Sequence, residues 1–260
     1  MRLGLGPVDL SGATRQKLET LTTQAVAASF DAVWVAESRA DGVGGGLAAA
    51  ALLGQVGPIR IGTVVEAGLY HPLFLAEDIA IADLTSQGRL EVVLRIGTSA
   101  SARYETSPDR GWFEEHIQVL AAALSGAHVQ WKGEHLRVPA QIDANQPAPS
   151  RLALNPRPFQ PVVPIWIDAP ETWVQELAQK LGFGVAQRWT RGGRVPPATG
   201  RWPGMVLCPA DVTADDLLSA AGDEAGYFLV AAQTAQAVAS AGRRLVGPLR
   251  MPDFPEWINI

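Results

Sequence analysis

The chain has 260 residues, 47% of them hydrophobic and 18% charged, with a formal net charge of −5. That is ample core for one α/β barrel, and the balance shows no global basic footprint for nucleic acid. A single cysteine, Cys208, excludes an intramolecular disulfide and points to a reducing, cytoplasmic setting. The opening run Met1-Arg2-Leu3-Gly4 carries no signal-peptide pattern. No uninterrupted apolar stretch reaches the roughly 20 residues of a membrane helix.

Taken in order, residues 3–5 read as a short first strand, closed by Gly6-Pro7 because proline cannot donate to a ladder. Residues 14–29 place Leu18, Leu21, Ala25 and Ala28 on one helical face. Residues 31–37 form a second strand, and its continuous Val33-Trp34-Val35 suits burial on both faces, as in a parallel sheet. An Ala/Leu-rich helix covers 48–55. The clearest unit follows: a β-branched strand over 59–65, a helix opening at Pro72, a stop at Gly88 and a strand over 90–96. Such a crossover implies parallel strands.

Residues 98–161 read as a long excursion after the fourth strand. It opens with the polar, turn-rich 98–111 and holds one helix, 112–125. Its proline-rich part, 129–161, contains a small hairpin around Trp131-Lys132-Gly133-Glu134. A strand at 163–167, a helix at 171–181 and a strand at 183–189 come next. Segment 191–203 holds Gly192, Gly193, Pro196, Pro197, Gly200 and Pro203, too many breakers for a barrel helix. Strands at 205–208 and 227–231 alternate with helices at 214–221 and 234–245, before an irregular tail. Cys208 reads as a buried strand residue. The eight strands predict an α/β fold, a (β/α)8 TIM barrel with an abbreviated second half, as one domain over 1–260. A doubly wound sheet is the alternative, but no G-x-G-x-x-G supports it.

Several runs, in this order, resemble the bacterial luciferase-like monooxygenase family: Phe30-Asp31-Ala32-Val33-Trp34-Val35-Ala36-Glu37, Ile61-Gly62-Thr63, His71-Pro72, Leu75-Ala76-Glu77-Asp78, Ser86-x-Gly88-Arg89, Phe113-Glu114-Glu115 and Pro164-Ile165-Trp166-Ile167. They cover about the first two-thirds of the chain. The resemblance implies a flavin at the C-terminal ends of the strands. Its ring would rest on a bulge after the third strand, at Thr63-Val64-Val65, where some members have a non-prolyl cis peptide. It also implies a tryptophan beside the ring, here Trp189. The flavin phosphate would be held by an arginine after the fourth strand, here Arg95, and by a hydroxyl at the helix after the fifth, here Thr172. Glu37 and His71 are the candidate catalytic residues.

The chain also departs from that family. A histidine often follows the glutamate of the second strand, but here the run is Glu37-Ser38-Arg39. Arg95 falls one place early, and one place on a strand reverses the side chain. Asp168 and Glu171 oppose a phosphate near Thr172. His116 sits beside Glu114 and Glu115 without metal-ligand spacing, and no metal is expected.

The expected activity is a monooxygenase using reduced FMN and O2 on a small organic substrate, with a separate flavin reductase as supplier. One alternative is hydride transfer with coenzyme F420. Another is a non-catalytic relative that has lost flavin binding. A homodimer is expected, since the shortened last β-α units would leave apolar surface uncovered. No nucleic acid or membrane partner is expected.

Overall fold

The computed structural model describes residues 1–10, 14–36, 45–95, 109–139, 152–168 and 171–249. Eight strands close a parallel barrel: β1 (Arg2–Asp9), β2 (Ala32–Ala36), β3 (Arg60–Glu66), β4 (Leu90–Arg95), β7 (Ile165–Asp168), β8 (Gly184–Arg188), β9 (Gly204–Cys208) and β10 (Gly226–Val230), with β10 pairing back to β1. Helices α1 (Arg15–Ala27), α2 (Gly46–Leu53), α3 (Pro72–Thr85), α4 (Arg110–Leu124), α5 (Thr172–Leu181), α6 (Ala214–Ala221) and α7 (Ala235–Ala241) lie outside. The short antiparallel pair β5 (Trp131–Lys132) and β6 (Arg137–Val138) is the hairpin expected in the excursion. The barrel is thus the one the sequence predicts. No helix of the described residues is long and apolar enough to cross a membrane.

The first strand is longer than the sequence suggests. Gly6 takes a φ of +117°, and the β1–β2 register shifts between Leu5 and Val8. Gly6-Pro7 therefore bulges out of the ladder, and the strand resumes to Asp9. Between β8 and β9 no helix forms. The proline-rich segment returns extended, tied by Val195 N–H to the Ala220 carbonyl, and brings Trp202 under the barrel.

Alternate residues of each strand fill the barrel in levels. At the N-terminal end Glu91 is fully buried. It accepts from Arg2 Nη1 at 2.8 Å, Arg60 Nε at 2.5 Å and the Tyr227 hydroxyl at 2.7 Å. Above it Trp34, Trp166 and Tyr227 pack edge to face at centroid distances of 5.7–6.3 Å. Trp34 Nε1 donates to the Tyr227 hydroxyl at 2.8 Å, and Trp166 Nε1 to the Pro203 carbonyl at 2.8 Å. Glycines make the room: a Cβ on Gly184 would lie 2.2 Å from the Trp166 ring. The interior is a packed plug, and barrel enzymes of this kind place their sites at the C-terminal mouth.

Candidate functional site at the barrel mouth

Three strands end in inward-facing charges at one level. Val64, Val93 and Trp166 belong to the interior cluster, so Glu66, Arg95 and Asp168, two residues on, also face inward. The register pairs Glu66 with Arg95 and Arg95 with Asp168. Arg95 Nη1 meets Glu66 Oε1 at 3.0 Å and its Nε meets Asp168 Oδ2 at 3.3 Å. All three are largely buried, so this is a shielded ion triad with two carboxylates to one guanidinium. Arg188 ends β8 with the inward parity of Ala186 and is exposed. Together Arg95, Arg188, Trp189, Leu207, Cys208 and Pro209 line a cavity of about 370 Å³. That lies within the usual size range of ligand sites, roughly 300–1,000 Å³.

Each expected residue can now be placed. Trp189 lines the cavity, half-buried, with its backbone N–H donating to the Leu207 carbonyl. Arg95 lines it too, but the two carboxylates already engage its guanidinium. β4 holds Arg95 on the inward face. Thr172 is exposed at the first turn of α5, whose N-cap Glu171 makes no side-chain capping bond.

The expected bulge after β3 is absent. Val64 and Val65 are joined by a trans bond, and β3 holds an unbroken register with β4 to Glu66. Thr63 and Val65 consequently turn to the outer face, under the helices, while Val64 lies in the plug below the mouth. None of the three reaches the cavity lining. His71 caps α3: its Nδ1 accepts from Leu73 N–H at 3.3 Å, and its exposed ring leans on Phe74. Glu37 lies outside the described residues. Among those residues no cluster could hold a metal ion.

The mouth therefore offers an apolar wall for a planar ring, from Trp189, Leu207 and Pro209, and one guanidinium engaged by no ion pair among the described residues, Arg188. These fit a flavin ring. For a phosphate, Arg188 is the lining cation with no ion pair among the described residues. Cys208 is no nucleophile, because burial pushes its thiol up to about 12.

The residues that sequence reasoning missed are Glu66 and Asp168 as partners of Arg95. The signal was available. Each follows an apolar inward residue by two, but the strand limits read from the sequence stopped at Val65 and Ile167, one short of the charge.

Beside the mouth, His116 on α4 is fully buried against Trp112, with ring centroids 4.6 Å apart. Neither of its ring nitrogens has a hydrogen-bond partner. Burial, aided by the charge of His71, lowers its pKa from 6.5 to about 4. Between those values the unfolded chain binds a proton that the fold excludes, so stability falls as pH drops from about 6.5 to about 4. The loss attributable to His116 is expected to reach about 3 kcal/mol. Urea unfolding of wild type and His116→Leu at pH 7 and pH 4.5 measures it. The two proteins must diverge on acidification, and parallel losses would refute the assignment.

The comparisons with known proteins agree with the fold. The family model described as luciferase-like monooxygenase matches residues 5–188. No curated protein matches the sequence. Among solved structures, a monooxygenase from Streptomyces bottropensis is similar at 16% identity and a TM-score of 0.67, over 94% of this chain and 97% of that one. The coenzyme F420 dependent tetrahydromethanopterin reductase of Methanopyrus kandleri follows at 13% and 0.66, over 95% and 99%. An F420-dependent secondary alcohol dehydrogenase, bound to an F420-acetone adduct, gives 12% and 0.71, over 96% and 99%. At these identities the structural likeness shows the fold alone.

Proposed function

This chain belongs to the luciferase-like monooxygenase family, and from that premise we propose that it is a flavin-dependent oxidoreductase acting on a small organic molecule at the barrel mouth. The observation that carries the reading is the cavity between Trp189 and Leu207 above a closed aromatic plug. The plug keeps water from the N-terminal side, and Trp189 offers a face against which a flavin ring can lie. Reduced FMN with O2 would supply oxygen insertion, and a separate flavin reductase would deliver the reduced cofactor. Coenzyme F420 would instead supply hydride transfer. Solved neighbours titled as a monooxygenase and as F420-dependent enzymes support these two options. Calorimetric titration with FMN, reduced FMN and F420 tests the reading. Micromolar or tighter binding of one is expected, and no binding of any by the folded protein would overturn it.

A second reading is a non-catalytic relative. It is favoured by the unbroken register of β3 and by the engagement of Arg95, both of which remove expected flavin contacts. The same titration separates the two.

We place the homodimer contact on α2 and α3 rather than on the last β-α units. Of the exposed large hydrophobics, Leu52, Phe74, Ile81 and Leu84 lie on those two helices, with Phe74 65% and Ile81 48% exposed. Phe74 and Ile81 fall seven residues apart, on one face of α3. Light scattering at micromolar concentration is expected to give a dimer, and Phe74→Glu with Ile81→Glu a folded monomer. A monomeric wild type would sink the idea.

A further inference from the structure

The mouth contains two arginines in different states. Arg95 is enclosed by Glu66 and Asp168 at 3.0 and 3.3 Å, two carboxylates on one guanidinium. Arg188 stands apart from it, exposed at the end of β8, with no ion pair among the described residues. Both line the same cavity. Among the described residues its charge is therefore unevenly spread, with two carboxylates beside Arg95 over β3, β4 and β7 and the exposed guanidinium of Arg188 over β8. Trp189, Leu207 and Pro209 form the wall next to the positive side.

A guanidinium is a planar fork that matches a carboxylate or a phosphate through two hydrogen bonds. The triad repels an anionic group from one side of the mouth, while Arg188 draws it to the other. The remaining polar lining residue of the β9 end, Cys208, is a neutral buried thiol and adds no charge. Glu66 and Asp168 are already paired with Arg95, so among the described lining residues Arg188 is the cation with no ion pair.

We propose that Arg188 is the anion-binding residue of the mouth, holding the carboxylate or phosphate of a ligand whose apolar body lies against Trp189 and Leu207. The proposal rests on the mouth being the ligand site, as in the proposed function, but not on the ligand being a flavin. The anionic group has two chemical sources: the phosphate of the bound cofactor or a carboxylate on the substrate. In either case Arg188 fixes which way round the ligand enters.

The test uses two matched pairs of probes, each differing by an anionic group. FMN and riboflavin differ by the phosphate. Phenylacetate and phenylacetamide differ by the charge, and both carry an apolar ring. The intact protein, Arg188→Gln and Arg188→Lys are titrated with all four by calorimetry, with melting temperature confirming that each is folded. Wild type is expected to prefer the anionic member of at least one pair by about 10- to 100-fold, the range of a charge-assisted contact. Arg188→Gln abolishes that preference, and Arg188→Lys keeps the charge and most of the preference. Added salt weakens it in wild type. An Arg188-dependent preference for FMN assigns the anion to the cofactor. One for phenylacetate assigns it to the substrate, and it stands even when neither flavin binds, which would defeat only the flavin reading. FMN binding that is indifferent to Arg188, with no phenylacetate preference, overturns this proposal and leaves the flavin reading intact. Absence of an anionic preference in both pairs also overturns it.

Discussion

Replacing Glu91 by alanine is expected to destabilise the fold by roughly 3–5 kcal/mol, the range for removing one partner of a buried ion pair. Glu91 is fully buried and is ion-paired with both Arg2 and Arg60 at the base of the barrel. Burial alone would raise its pKa, but the charges of Arg2 and Arg60 outweigh that and hold it below the ordinary carboxylate value. Its contribution is therefore complete above the unfolded value of about 4.5 and is lost as pH falls through the depressed folded value. Alanine removes the carboxylate that Arg2 and Arg60 share and leaves the Tyr227 hydroxyl without the acceptor it has in Glu91. Glu91→Gln retains the shape and an acceptor, so it should fall between alanine and wild type. The exposed Arg15–Glu19 pair is the control: Glu19→Ala should cost under about 1 kcal/mol. Urea unfolding at pH 7 measures all three. A Glu91→Ala protein within 1 kcal/mol of wild type would show that the network contributes little.

The motifs that made the family legible are mostly scaffold. Trp34, Gly62 and Trp166 interlock in the barrel plug. Arg89, closing the Ser86-x-Gly88-Arg89 run, donates to the carbonyls of Gly54, Gly57, Ile59 and Ser86, and so ties the base of β3 and β4 to α2. Glu115, from Phe113-Glu114-Glu115, accepts the backbone N–H groups of Glu134, His135 and Leu136 and the indole N–H of Trp131, pinning the β5–β6 hairpin to α4. His71 caps the helix that Pro72 opens. Local rules read such residues well, because caps, stops and apolar alternation act over a few positions. That is why the alternation of strands and helices was recoverable, down to the irregular segment after β8.

The mouth was less legible because its chemistry is set by register between strands distant in sequence. Glu66, Arg95 and Asp168 span about a hundred positions and meet only when three strands end level. A strand end misjudged by one residue removes a charge from the site or reverses its face. The family resemblance pulled attention to Thr63 and Val65, which the unbroken strand turns outward. It also assigned to Arg95 a phosphate role that the two carboxylates contest. Trp189, read from its place at the end of the sixth barrel strand, does line the cavity. Arg188, one residue earlier, is the exposed cation there.

Gly62→Ala is expected to cost more than the roughly 1–3 kcal/mol typical of overpacking, although it adds a single carbon. The new Cβ would lie 1.9 Å from Cδ2 of Trp34 and 2.1 Å from its Cε2, far inside contact distance. Trp34 cannot simply swing away. Its indole N–H is bonded to Tyr227, its other flanks meet Trp166 and Gly4, and the closed barrel leaves no free volume beside it. Gly62 has an ordinary strand backbone, so the demand is for space rather than for a special φ. The two positions must then be strongly coupled. Trp34→Phe alone removes volume and an indole bond and is destabilising, but in the Gly62→Ala background it relieves the clash. The double variant should be more stable than the sum of the single losses by at least about 1 kcal/mol. Thermal and urea unfolding of the four proteins close the cycle. Strict additivity would mean that β3 yields by moving its backbone, and the plug would then be softer than its packing implies.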